Sequence, residues 1–264
     1  MLPAIVLIGG LSIAALAGVF TASFRPDAVL GGDYGTDAWT RLFDDPIFVD
    51  ALIFTVRAAF LSTAISVLVS IPLAFALRNA SVLARALVAA PIPVPHLVTA
   101  SLVGFWLGPG GLLDRLLFDL PVVRDSFGAG VILVYVLKEV PFLTMLILAA
   151  LSNENVAREE AARTLSPRRW DRWRNVLLPQ LRRPLTLGSL VVAAFVIGST
   201  EVPLVVGPVS PDVLTTWSIN VVRIRGPIAR ADAAAGLVVS SALVIAIAIV
   251  MIWFALRARS RKPT

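Results

Sequence analysis

Apolar residues in this chain come in long blocks parted by charged stretches. Six blocks stand out, at about 2–24, 58–77 (with an apolar lead-in from Ala51), 86–107, 127–151, 185–206 and 233–256. Each holds the roughly 20 residues that a helix needs to cross a bilayer core. Backbone N–H and C=O groups in lipid must be satisfied within the segment, so every block is expected to be helical. The third contains Pro91, Pro93 and Pro95 and is counted as one span like the others. The first block has the position of a signal peptide, but it lacks a basic leader and its apolar stretch is long, so a retained helix is expected. The expected fold class is an all-α membrane protein of six transmembrane helices, a single domain over 1–264. Within it, a core spans about 51–256 and an extra N-terminal helix about 2–24.

The loops set the orientation. Residues 25–50 are acid-rich, whereas the stretch 152–184 carries Arg158, Arg163, Arg168, Arg169, Arg172, Arg174, Arg182 and Arg183. The tail adds Arg257, Arg259, Arg261 and Lys262. Because cytoplasmic loops are enriched in Lys and Arg, both termini are expected in the cytoplasm. Arg223, Arg225 and Arg230 fall on the opposite side and are outweighed.

Composition narrows the function classes. With 58% hydrophobic and 15% charged residues, there are too few polar side chains to clothe a soluble domain of 264 residues. The net charge of +6 does not imply nucleic acid, since the arginines adjoin apolar blocks, where they act as topology signals and lipid headgroup contacts. Cysteine is absent and histidine occurs once, which argues against disulfides, thiolate or histidine metal sites and a cysteine nucleophile. No clustered carboxylates, histidines or serines suggest a catalytic centre, so no catalytic residue is expected.

The loop 152–184 is the largest feature on the expected cytoplasmic side. Asn153 or Asn155 is placed to cap a short helix ending near Leu165, with Ala157, Ala161 and Thr164 on one small-residue face. Ser166 and Pro167, a favoured N-cap and first helical residue, restart the chain. Trp170, Trp173 and Leu177 then form an apolar stripe among arginines, and Pro179 ends or kinks the pattern. Such an elbow suits docking to a cytoplasmic partner; a basic loop lying on anionic lipid reads equally well from composition.

At this point the residues resemble a family. Glu160, Ala161, Ala162, three residues, Ser166, nine residues, Val176, one residue, then Leu178 and Pro179 are similar to the EAA loop of type I ABC importer permeases. There the pattern is EAA, three residues, Gly, nine residues, Ile, one residue, Leu-Pro. Ser166 replaces the usual glycine. The stretches Ser70–Arg78, Lys138–Leu143 and Ser199–Gly207 also resemble family sequence. The resemblance implies one half of a pore in a bacterial cytoplasmic (inner) membrane, completed by a second permease subunit, either a copy or a sister chain. It implies a cytoplasmic ABC ATPase dimer that binds ATP and Mg, since no G-x-x-x-x-G-K-[ST] loop occurs here, and an extracytoplasmic binding protein that delivers substrate. Carried over, Glu160, Ala161, Ala162, Ser166, Pro167, Leu178 and Pro179 form the ATPase-coupling site. The branch resembled handles polyamines, ferric iron, thiamine and phosphonates. The alternative is an ATP-independent secondary transporter or channel subunit.

Lys138, Glu139 and Glu201 lie inside apolar blocks, where ionisable side chains are costly and face a bundle interior or water. They are candidates for a translocation pathway. For Lys138 and Glu139 the other reading is structural pairing with neighbouring helices, since adjacent residues on a helix do not face one another.

Overall fold

Asp45 opens the longest helix. Its side chain accepts a hydrogen bond from the Ile47 N–H at 2.9 Å, and Pro46 takes the first helical position, where a missing N–H costs nothing. A computed structural model describes residues 2–25, 34–117, 122–151 and 178–259, and among these every regular element is a helix. In order they are α1 (Leu2–Ala22), α2 (Asp37–Asp44), α3 (Pro46–Leu77), α4 (Val82–Ala89), α5 (His96–Leu107), α6 (Leu112–Leu117), α7 (Ala129–Ala150), α8 (Leu178–Gly198), α9 (Glu201–Val206), α10 (Leu214–Arg225), a 3-10 turn (Pro227–Ala229) and α11 (Arg230–Arg259). Helices α3, α7, α8 and α11 are long and apolar enough to cross a bilayer; the apolar stretch 6–22 of α1 and α5 are shorter.

At the centre is α7, whose most apolar window is 61% buried against 6% for that of α11. It packs chiefly on α3, which turns Ala51, Thr55, Ala58, Ser62, Ser66, Ser70 and Ala74 inward. Spaced three or four apart, these form one stripe of small side chains. Lipid tails are as apolar as leucine, so helices here associate by close backbone approach and dispersion, which small residues allow. Two glycines mark close approaches of one helix to another. A Cβ at Gly188 of α8 would lie 2.5 Å from Leu146 Cδ2 of α7, and one at Gly236 of α11 would lie 2.6 Å from the Trp217 ring of α10.

One end of the bundle is closed by polar and aromatic contacts. Phe24, Trp39, Phe43, Phe48 and Trp217 form a ladder of rings with neighbouring centroids 5.2–6.4 Å apart. Arg41 of α2 meets Asp232 of α11 at 2.7 Å, and Arg225 of α10 meets Asp45 at 3.1 Å. Helix α1 ends beside this cluster and α11 begins in it, so the two run antiparallel. Leu2 and Arg259 therefore lie at the opposite end, together with the last turn of α7 and the first described turn of α8.

Three expectations differ from the structure. The third block is not one span: Pro91, Pro93 and Pro95 withhold amide donors and clash with a continuing helix, and a turn over 90–95 separates α4 from α5. The fifth block breaks after Gly198, and its helix is already present at Leu178, within the stretch read as loop. The segments read as outer loops, 25–50 and 207–232, contain α2 and α10.

Candidate functional site

Two broken helices, α4–α5 and α8–α9, lie against α7. A break at membrane depth frees carbonyls that lipid cannot satisfy. At the first break the acceptors are met from α7. Lys138, only 3% exposed, donates from Nζ to the carbonyls of Pro91 (2.5 Å), Ile92 (3.1 Å) and Val94. An ammonium has three donors, and here each is used on the backbone of the turn. Glu139, one residue on, points elsewhere: its Oε1 is 3.0 Å from Nε2 of His96, the first residue of α5. The His96 ring also rests on Phe195 of α8, with centroids 4.6 Å apart. Adjacent charges on α7 thus grip the turn and the helix that follows it.

At the second break, Thr215 Oγ1 of α10 donates to the freed carbonyl of Ser199 at 3.0 Å. Helix α10 is itself anchored by Thr55 of α3, which accepts from the Leu214 N–H at 2.9 Å while donating to the Ala51 carbonyl at 2.7 Å. Helices α5 and α9 meet at Gly104, where a Cβ would sit 3.7 Å from Val206. The two interrupted elements therefore form one wall, held from behind by α3, α7 and α10. Irregular backbone in a membrane is tolerated where protein or a water-filled cavity covers it, and paired broken helices recur at transport sites.

Of the three intramembrane candidates, Lys138 and Glu139 are buried and engaged with the turn and α5. Glu201 is exposed at the start of α9 and has no ion-pair partner among the described residues. Leu178 and Pro179 lie in the first described turn of α8. Glu160, Ala161, Ala162, Ser166 and Pro167, with the elbow expected around them, lie outside the described residues. Among those described, no group of three or more His, Cys, Asp or Glu side chains could hold a metal ion. Arg57 of α3 donates to the carbonyls of Ser126 (3.1 Å) and Phe127 (3.0 Å) ahead of α7. Between α9 and α10, burial pushes the Asp212 carboxyl above its ordinary range, opposed by hydrogen bonds from the Asn220 amide, at 2.7 Å, and the Val213 backbone.

Thr55 and Thr215 were not singled out from the sequence. Their only signal is a hydroxyl in an otherwise apolar or small-residue face, which a span tolerates without any role, because it can bond its own helix.

Apolar spans packed on a buried central helix, with two breaks repaired by side chains, define a helical bundle built to cross a membrane several times. No family model matches the chain. It is 27% identical over 184 residues to the inner membrane ABC transporter permease protein YnjC of Escherichia coli, covering 68% of this chain and 36% of that protein. It is 33% identical over 148 residues to a Haloferax volcanii protein named as a probable molybdenum ABC transporter permease, covering 54% of each. The molybdenum transport system permease protein ModB of Mycobacterium tuberculosis is 27% identical over 216 residues, 78% of this chain and 82% of that one. The chain thus spans 36% and 54% of the length of the first two relatives. A solved bacterial alginate ABC transporter, in complex with its alginate pentasaccharide-bound periplasmic protein, superposes with a TM-score of 0.77 at 19% identity, over 97% of this chain and 92% of that one. The sequence relatives are ABC transporter permeases, and the fold is that of the type I ABC importer permeases, with the subfamily unspecified.

Proposed function

We propose that this chain is a permease subunit of an ATP-driven importer in a bacterial inner membrane, forming half of the pore. The single observation that carries the reading is the importer-permease fold along nearly the whole chain. The EAA spacing in the loop between α7 and α8 supports it. Both ends of the described chain lie at the end of the bundle where that arginine-rich loop must emerge, which suits a cytoplasmic placement of all three. The partners in this reading are a second permease chain, an ATPase dimer holding ATP and Mg, and an external binding protein. The chain itself is not an enzyme.

Glu160, Ala161 and Ala162 would present a small-residue face with one carboxylate to the ATPase. Ser166 and Pro167 would turn the chain, and Leu178 and Pro179 would pass the motion into α8. Closure of the ATPase dimer would then move α8, and with it the α8–α9 break. Glu201 is the candidate that lines the path; Lys138 and Glu139 hold the wall behind it.

The narrower expectation of a polyamine, ferric iron, thiamine or phosphonate has no counterpart in the relatives' names, two of which refer to molybdenum, or in the neighbour, which carries alginate. An anionic substrate is the better reading. The exposed Arg115 and Arg124, at the end of the bundle opposite the coupling loop, supply positive charge where substrate would enter.

The test uses the complex reconstituted in proteoliposomes with its ATPase and binding protein. Glu160→Lys should lower substrate-stimulated ATP hydrolysis roughly tenfold or more, as loss of a buried interfacial charge pair does, while membrane insertion is unchanged. Unaltered stimulated hydrolysis would remove the coupling role. Uptake by the chain without ATPase or ATP would favour the secondary-transporter reading instead.

A further inference from the structure

At the end of the bundle opposite α2, α8 and α11 leave a groove of about 340 Å³ between them. Arg182 and Arg183 of α8 and Arg257 of α11 rim it, and Leu187, Trp253 and Phe254 wall it. Among the described residues, no acidic one lines it. The Arg182 and Arg183 side chains are exposed, and neither has a carboxylate partner among the described residues. The Arg257 guanidinium lies over the Trp253 ring, 3.8 Å from its centroid.

The groove sits where two apolar helices reach their charges. From Ala233 to Leu256, α11 has no ionised side chain, and Arg257 follows; α8 carries Arg182 and Arg183 just before its own apolar run. Tryptophan and arginine at such a junction mark the level of the headgroups. The same stretch of α11 leaves Ile245, Ile249, Val250, Ile252 and Leu256 exposed. That apolar face is suited to acyl chains. A soluble anion would meet the arginines but gain nothing from the aromatic and aliphatic wall. A lipid uses both. Basic pockets between membrane helices recognise anionic headgroups by this combination.

We propose that this groove is a binding site for an anionic phospholipid of the surrounding leaflet. The phosphate sits among Arg182, Arg183 and Arg257, and an acyl chain runs along Leu187, Trp253 and Phe254.

The experiment titrates the delipidated full-length chain in detergent with phosphatidylglycerol or phosphatidylcholine of the same acyl chains, read by native mass spectrometry. One phosphatidylglycerol per chain should be retained at concentrations where phosphatidylcholine is not. Each surface arginine is worth roughly fivefold in affinity for an anionic lipid, so the double variant Arg182→Gln/Arg183→Gln should weaken retention by about 30-fold. Arg223→Gln, at the other end of the bundle, should leave it unchanged. If the double variant does not fold, Thr186→Trp fills the groove while keeping every arginine, and should displace the lipid. Glycerol phosphate, the headgroup without chains, should fail to compete. Equal retention of the two lipids, full retention by the double variant or by Thr186→Trp, or full displacement by glycerol phosphate would each overturn the proposal.

Discussion

Replacing Lys138 by methionine keeps the length and apolar bulk of the side chain but removes the donor set that serves the turn between α4 and α5. The carbonyls of Ile92 and Val94 would lose the Lys138 donor, and that of Pro91 would keep only the Val94 N–H at 3.2 Å. Hydrogen bonds to a charged group contribute about 1.5–3 kcal/mol each, so the gross loss is about 5–9 kcal/mol. Against this, the variant no longer buries an ammonium, a relief of several kcal/mol. The expected net cost is then about 3–5 kcal/mol, the range found when one partner of a buried ionic contact is removed. At about 2–4 °C per kcal/mol for chains of this size, the unfolding midpoint in detergent should fall by about 6–20 °C. Lys138→Arg retains donors and should recover much of the loss. A Lys138→Met midpoint within about 2 °C of the parent, with helical content intact, would refute the view that this side chain holds the break. Uptake measured well below the lowered midpoint separates the two roles: a residue that holds the wall leaves transport largely intact there, whereas one that touches substrate does not.

Two other expectations follow from the packing and the charges. Gly236→Ala puts a methyl group 2.6 Å from the buried Trp217 ring and 2.8 Å from Ser218 Oγ, which should cost about 1–3 kcal/mol as overpacking does. Gly9→Ala, where nothing lies within 4 Å, should be neutral in the same thermal assay. For Asp212, burial raises the carboxyl pKa above the ordinary 3.8, so its contribution to stability is complete below that value and is lost as pH rises through the raised one. Asp212→Asn stays neutral, so the variant should gain on the parent as pH climbs through that window and hold a constant lead above it. A difference in midpoint that is flat from pH 3 to pH 8 would contradict this account.

How much was legible depended on whether a feature's cause lay nearby in the chain. The helices over 2–22, 129–150 and 230–259 were readable to within a few residues, because a long apolar run bounded by charge has one stable form in a bilayer. The prolines at 91, 93 and 95 were visible, but their effect was not. A proline-rich span either kinks or parts, and here the outcome rests on Lys138, more than 40 residues further on. The break at Ser199 has its local cause in Pro203, which brings no N–H to the carbonyl four residues back; the partner that carbonyl finds instead, Thr215, lies in a stretch that reads as loop. Helix α10 escaped notice because its apolar run is short; its inward face exists only against α3 and α11, as where Trp217 meets Phe48 and Gly236. The proposed coupling loop rests on motif spacing alone, and its residues 152–177 lie outside those described.

The Lys138 contact also has a consequence for biogenesis. A ribosome delivers α4, the turn and α5 to the membrane before α7 has been made. Until then the carbonyls at 92 and 94 have no ammonium to receive, and the hairpin cannot settle at depth without stranding them in hydrocarbon. The third hydrophobic block must therefore wait in a more hydrated place, at the insertion machinery or the headgroup layer, until the fourth arrives and carries its lysine in. Insertion of these two blocks is a single joint event, and a chain truncated between them should leave the third block poorly integrated.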